Sequence, residues 1–316
     1  AAPHVWSEAR CKEAWKRAQQ YVSEDGIPVR LRRIVWPLAI GNAEDISYDY
    51  YLSLRAKAVV CRKHYSASKS AAKRQVPFVL DPNIVDSYLN TSFSDIDVDL
   101  TRTFPHLAFY QAGSQLKTSM RDVLDAFCFH HRKIGYVQGV SYLCGKLLLF
   151  MDDYAAFMCL VNMASSRFML ASLKMDPILL QARYDIFLTL LKDHASNLYK
   201  HLHSIDILAV GQSLFFLDWI MTLFSKRLEI DVASRIWDLY LLQGEQAVYR
   251  CGVALLVCLE DQFQGKSFEE VHATLTNGNT MRGVTEDAFI STLRTVYWSN
   301  KHEQMLSKVL SMPIMG

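Results

Sequence analysis

Two polar side chains stand out in a sequence that otherwise reads as apolar helix and turn. Arg102 lies in Ile96-Asp97-Val98-Asp99-Leu100-Thr101-Arg102-Thr103-Phe104-Pro105, and Gln138 lies in Ile134-Gly135-Tyr136-Val137-Gln138-Gly139. A guanidinium is permanently charged and presents a planar fork of donors, which suits oxygens that gain negative charge in a reaction. A carboxamide carries both an acceptor oxygen and donor hydrogens, so it can hold a water and touch an anion together. Each residue also has an ordinary reading. Arg102 stands three residues after Asp99 and could simply pair with it. The local backbone argues for more. Pro105 pushes Phe104 out of helical geometry, which puts Arg102 where a helix ends, projecting from a loop. Gly135 and Gly139 flank Gln138, and glycines mark backbone that turns sharply or is closely approached. Spacing alone reaches a polar Arg-plus-Gln site and stops there.

The elements that must position this pair are helices. Met120, Val123, Leu124, Phe127 and Cys128 recur at helical spacing and predict a helix over residues 115–131, between the two polar segments. Residues 140–151 and 154–170 are nearly all apolar and read as buried helices, and Tyr184 to Leu202 traces one long amphipathic stripe. Ser7, Ser47, Asp231 and Thr285 stand where helix caps are expected, and Ser267 with Glu270 has capping-box spacing. Pro28 suits a helix start, Gly41 and Gly244 suit helix ends, and Pro37 predicts a kink or break. Val76 to Leu80 is the one tempting strand, and Pro77 demotes it. Asp81-Pro82-Asn83 reads as a turn. No repeat of fixed period is visible. The expected class is all-α, with helices packed in layers.

Other chemistries compete poorly. Gly139 to Leu147 resembles a P-loop, but five residues separate Gly139 from Gly145 where four are required, and Leu147 replaces the hydroxyl residue. His201 and His203 point about 200° apart around a helix, His130-His131 sits at a helix end, and His302-Glu303 lacks a second histidine. Metal is therefore not expected, nor is a cofactor. No nucleophile motif is present. Hydrophobic residues make up 51% and charged residues 21%, with a formal charge of +2, so nothing argues for nucleic acid. The 7 cysteines are scattered without a CxxC and read as reduced buried thiols. No signal peptide and no transmembrane segment is expected. Ala1 in place of Met suggests a piece of a longer chain. Between Tyr50 and Leu80 there is no acidic residue, while Arg55, Lys57, Arg62, Lys63, Lys69, Lys73 and Arg74 are basic. This stretch reads as a solvated face, with docking to an acidic partner or an anionic membrane as the alternative.

With those residues quoted, a resemblance is clear. Ile96-x-x-Asp99-x-x-Arg102 and Tyr136-x-Gln138, in the setting Ile-Gly-Tyr-x-Gln-Gly, resemble the two signatures of the TBC domain, the catalytic domain of Rab GTPase-activating proteins. Gly26-Ile27-Pro28 through Trp36, Gly41-Asn42, Trp219 to Phe224 and Arg235 to Leu239 resemble further stretches of that domain, so the similarity runs over roughly residues 26 to 300. It implies a two-lobed, V-shaped, all-helical domain, divided here as 1–172 with both fingers and 173–316. It implies that Arg102 is an arginine finger and Gln138 a glutamine finger, supplied in trans to a Rab-family small GTPase in its GTP state. Asp99 and Tyr136 would support the two, with Ile96 and Gly135 completing the motifs. GTP and magnesium would belong to the GTPase, so the chain is a GTPase activator rather than a self-contained enzyme. The implied setting is vesicle trafficking, in the cytoplasm or peripheral on endomembranes. The alternative is a catalytically silent helical scaffold or effector that binds GTP-bound Rab.

Overall fold

The apolar periodicities fold as helices, and several helix starts carry a side chain that satisfies free N–H groups. The computed structural model describes residues 26–69, 87–111, 113–276, 281 and 283–315, with backbone alone at 64–69 and 87–90. The helix expected after Ser7, the Val76 to Leu80 run and the Asp81-Pro82-Asn83 turn lie outside these residues. Among the described residues there are helices and turns and no strand.

The chain forms two compact units, one of Gly41–Ser166 and one in which the residues up to Ile40 join Arg167–Gly316. This differs from the expected division at 172/173. The second unit holds helix α1 (Val29–Ile40) because of Asp238, a fully buried carboxylate. Asp238 accepts from the Ile27 backbone N–H at 3.2 Å, from Arg32 at 2.9 Å and from the Trp36 indole at 2.8 Å. Trp36 also stacks on Trp237, ring centroids 5.1 Å apart. Pro37 does not break α1; it sits close enough to the end that the helix reaches Ile40, where Gly41 turns out with φ +74°.

The first unit carries α2 (Tyr48–Lys69), α3 (Ser87–Arg102), a 3₁₀ turn (Ala108–Tyr110), α4 (Gln115–His130), α5 (Val140–Leu148) and α6 (Asp153–Ser165). Ser47, Ser114 and Asp152 cap α2, α4 and α6 by accepting the N–H of Tyr50, Lys117 and Ala155. Helix α4 is the axis of this unit, packed against α2, α3, α5 and α6. Met120, Val123, Leu124, Ala126, Phe127 and Cys128 have no exposed surface. A helix covered on nearly all sides is a core helix, and each large apolar side chain stabilises it by roughly 1.5–3 kcal/mol relative to exposure.

The rest of the second unit comprises α7 (Arg167–Leu173), α8 (Pro177–His194), α9 (Ser196–Ser204), α10 (Ile207–Gly211), a π turn (Gln212–Phe216), α11 (Leu217–Thr222), α12 (Ile230–Gln243), α13 (Glu245–Cys258), α14 (Glu260–Phe263), α15 (Phe268–Thr276), α16 (Glu286–Thr295) and α17 (Asn300–Ser311). Two expected long helices are broken. Ser166 is extended, with ψ 144°, and Ala195 leaves helical geometry with φ −136°. Asp231 lies inside α12, whose cap position is Glu229. Thr285 caps α16, and Ser267 and Glu270 bond reciprocally as the spacing requires. The cysteines from Cys61 to Cys258 are free thiols. No single helix among the described residues is long and apolar enough to cross a membrane.

Candidate functional site

The spacing Ile96, Asp99, Arg102 acquires a physical meaning on α3. Ser92, Ile96, Asp99, Leu100 and Thr103 fall on one face at i, i+4, i+7, i+8 and i+11, and all are buried. Arg102 is the last residue of the helix and stands on the outer side, 46% of its side chain exposed. The sequence expectation of a helix end at Arg102 holds, with the residue itself still helical rather than on the loop that follows. Arg102 Nε donates to Asp99 Oδ1 at 2.6 Å, and its Nη2 contacts the same oxygen. The Arg102 side chain is therefore bent back over a buried carboxylate one turn earlier.

The helix ends because Phe104 adopts φ +47°, a left-handed conformation that a bulky residue holds only when its surroundings demand it. Its surroundings do so. The Phe104 ring is buried against Tyr110 (5.7 Å) and Tyr142 (5.2 Å). The Tyr142 hydroxyl donates to the Arg102 carbonyl at 2.7 Å, and Thr103 Oγ1 bonds both the Asp99 carbonyl and Ser141 Oγ, each at 2.7 Å.

Gln138 sits on the loop between α4 and α5. Gly135 (φ +68°) and Gly139 (φ +102°) both occupy the left-handed side that L side chains avoid, which is why glycine brackets this segment. Between them the Tyr136 ring points inward and the Gln138 side chain points to solvent, with no hydrogen bond to any described residue. Tyr136 N–H donates to Ser92 Oγ at 3.3 Å. Its hydroxyl donates to Asp99 Oδ2, and the Gly139 N–H donates to the same oxygen at 3.2 Å. Burial first, and the Asp99 charge second, hold the Tyr136 phenol well above its ordinary pKa, so it stays a donor.

Asp99 thus joins the two segments. One of its oxygens takes Arg102, and the other takes the two donors that flank Gln138. The structure brings Ile96, Asp99, Arg102, Gly135, Tyr136 and Gln138 into one connected group in one unit. It adds Ser92, Thr103, Ser141 and Tyr142, which sequence reasoning did not single out. Their signal was present: Ser141 and Tyr142 are polar interruptions in a run of apolar residues, and Ser92 lies one helical turn before Ile96.

The basic stretch fits the solvated-face expectation only in part, with Lys73 and Arg74 outside the described residues and Lys69 described by its backbone alone. Arg55 pairs with Asp122 of α4 at 2.5 Å. Arg62 is bidentate to Asp125 at 2.6 and 2.7 Å and reaches Asp97 at 2.7 Å. These two arginines tie α2 to α3 and α4, Arg62 from a largely covered position and Arg55 while still 41% exposed. Lys57 and Lys63 are exposed. The P-loop look-alike is helix α5, with Lys146 wholly buried near the Phe150 ring.

Comparison with known proteins identifies the family. The model of the Rab-GTPase-TBC domain matches residues 29–264. The chain belongs to the Rab-GTPase-TBC domain family. TBC1 domain family member 12 of Rattus norvegicus is 27% identical over 294 residues, covering 93% of this chain and 40% of that protein. TBC1 domain family member 14 of Homo sapiens is 26% identical over 272 residues, covering 86% of this chain and 37% of that protein. The chain therefore spans about two fifths of the length of these relatives. Among solved structures, the Chlamydomonas flagellar RabGAP TBC domain superposes with a TM-score of 0.65 at 20% identity, covering 88% of this chain and 84% of that one. The Ypt/Rab-GAP domain of Gyp1p gives 0.61 at 19% identity, covering 92% and 98%. At such identities the likeness shows a shared fold, and that fold is the all-α TBC domain expected from the sequence.

Proposed function

We propose that this TBC domain accelerates GTP hydrolysis by a Rab-family small GTPase in its GTP state, with Arg102 as arginine finger and Gln138 as glutamine finger. The observation that carries the reading is the single buried carboxylate of Asp99, which fixes the end of α3 and the Gln138 loop together while both reactive side chains remain exposed. GTP hydrolysis develops charge on phosphoryl oxygens and requires an oriented water. Arg102 supplies the charge, and its anchor on Asp99 limits the entropy lost when it engages. Gln138 accepts from the water through its carbonyl and donates through its amide. Nucleotide and magnesium belong to the partner, and the chain contributes half of a composite active site. The location that goes with this reading is the cytoplasm, peripheral to endomembranes.

The test is single-turnover GTP hydrolysis by a panel of Rab-family GTPases with and without the chain. Acceleration of at least one member by about 10³-fold or more is expected. Tight binding to a GTP-bound member with no acceleration across the whole panel would favour the silent scaffold instead.

A further inference from the structure

The segment that carries Arg102 continues into an exposed aromatic residue that the catalytic reading leaves unused. Phe109 lies in the 3₁₀ turn Ala108–Tyr110 and is 66% exposed, more than any other large apolar residue described. Its neighbours are fastened. Tyr110 is buried, and its hydroxyl donates to the Gly145 carbonyl of α5 at 2.5 Å. The Gln111 amide donates to the Pro105 carbonyl at 2.6 Å and closes the loop on itself. Phe104 stacks on Tyr110 from the other end. Backbone and flanking side chains are held, and the one large apolar group among them points out to water. Val98 repeats the arrangement on the helix side. It is 54% exposed and lies four residues before Arg102, on the same helical face.

From this the geometry points to Val98 and Phe109 as apolar anchors for the GTPase, on either side of Arg102 along the chain. The inference rests on the proposed activity, and the occupant is an apolar patch beside the nucleotide pocket of the GTP-bound partner. Two features argue for that occupant. The residues are continuous in chain and helical face with the finger that must reach the partner's phosphate. A rigid aromatic held out on a clamped loop also loses little side-chain freedom on binding, which is what makes aromatic residues dominate interface energies. Contact here precedes and outlasts the chemical step, so it contributes equally to ground and transition states. Its loss raises KM and leaves kcat in place.

The experiment uses the 316-residue chain and the GTPase that the wild-type chain stimulates best. Phe109→Ala is expected to raise KM about ten-fold, Val98→Ser about three-fold, and both together more than either, with kcat within two-fold of wild type. Phe109→Leu should recover most of the loss. Because Phe109 is exposed, its truncation leaves the thermal midpoint unchanged. An unchanged KM for Phe109→Ala on a stimulated GTPase overturns the inference while leaving the activity standing. A fall in kcat at saturation also overturns it, since that marks a support for Arg102 rather than a docking anchor. Failure of the wild-type chain to stimulate any GTPase removes the activity and this inference together.

Discussion

Replacing Asp99 by Asn separates the anchoring of the arginine from the shaping of the glutamine loop. The carboxamide keeps the shape of the carboxylate. Its oxygen can serve the Tyr136 hydroxyl and the Gly139 N–H, which leaves its amino group facing the Arg102 guanidinium, donor against donor. The lost ion pair itself costs little stability, because Arg102 is 46% exposed and such pairs contribute about 0–1 kcal/mol. The two buried donors exchange a charged acceptor for a neutral one, at about 1 kcal/mol each. A total of about 2–3 kcal/mol lowers the thermal midpoint of a 316-residue chain by roughly 3–5 °C. The effect on rate is larger. A finger released from its anchor and displaced by about 1 Å forfeits on the order of 10²-fold. Asp99→Asn is therefore expected to fold and to stimulate single-turnover hydrolysis 10- to 100-fold less well, by the same measure of about 10². In an Arg102→Ala background the same change should cost less than about 3-fold, because the interaction it removes is already gone. Full activity in Asp99→Asn would refute the anchoring argument. So would an equal loss with and without Arg102, since the two residues would then act independently.

Two further outcomes follow from the site's surroundings. Gly139→Ala places a side chain at φ +102°, a conformation that costs a non-glycine residue about 1–3 kcal/mol; a lower urea midpoint together with weaker stimulation is expected, because the same residue adjoins Gln138. His131, at the start of the Gln138 loop, has its pKa depressed to about 4, by burial first and by neighbouring His130 second. The neutral ring contributes stability that is fully present above the unfolded pKa of about 6.5 and is lost as pH falls towards 4. The urea midpoint should fall between pH 6.5 and 4.5, and His131→Gln should flatten that fall.

The legibility of this molecule in its sequence divides along physical lines. Local signals were readable. The spacing of Met120 to Cys128 marks α4, and the caps at Ser47, Thr285 and Ser267 appear where they were expected. Arg102 and Gln138 stood out because polar residues beside Pro and Gly in an apolar sequence have few structural uses. Distant pairings were not readable. Asp238 gathers partners more than 200 positions away, which is why the units divide at Ile40 and Ser166 rather than once near residue 172. The basic run around Arg55 and Arg62 looked free because its acids, Asp97, Asp122 and Asp125, lie on other helices. The breaks at Ser166 and Ala195 depend on backbone angles that neither residue announces. The left-handed Phe104 is fixed by Tyr110 and Tyr142, which only the fold brings beside it.

The central claim is that Arg102 and Gln138 are both supplied in trans to one reaction. Its most direct test compares single-turnover hydrolysis by the best-stimulated GTPase at saturating concentrations of wild-type chain, Arg102→Lys and Gln138→Ala. An arginine finger contributes about 10³- to 10⁵-fold, and the lysine ammonium lacks the planar fork that spans two oxygens. Arg102→Lys is expected to lose most of the stimulation despite its retained charge. Gln138→Ala should lose it also, with both variants still binding the GTP-bound partner. Stimulation near the wild-type level by either variant would contradict the account.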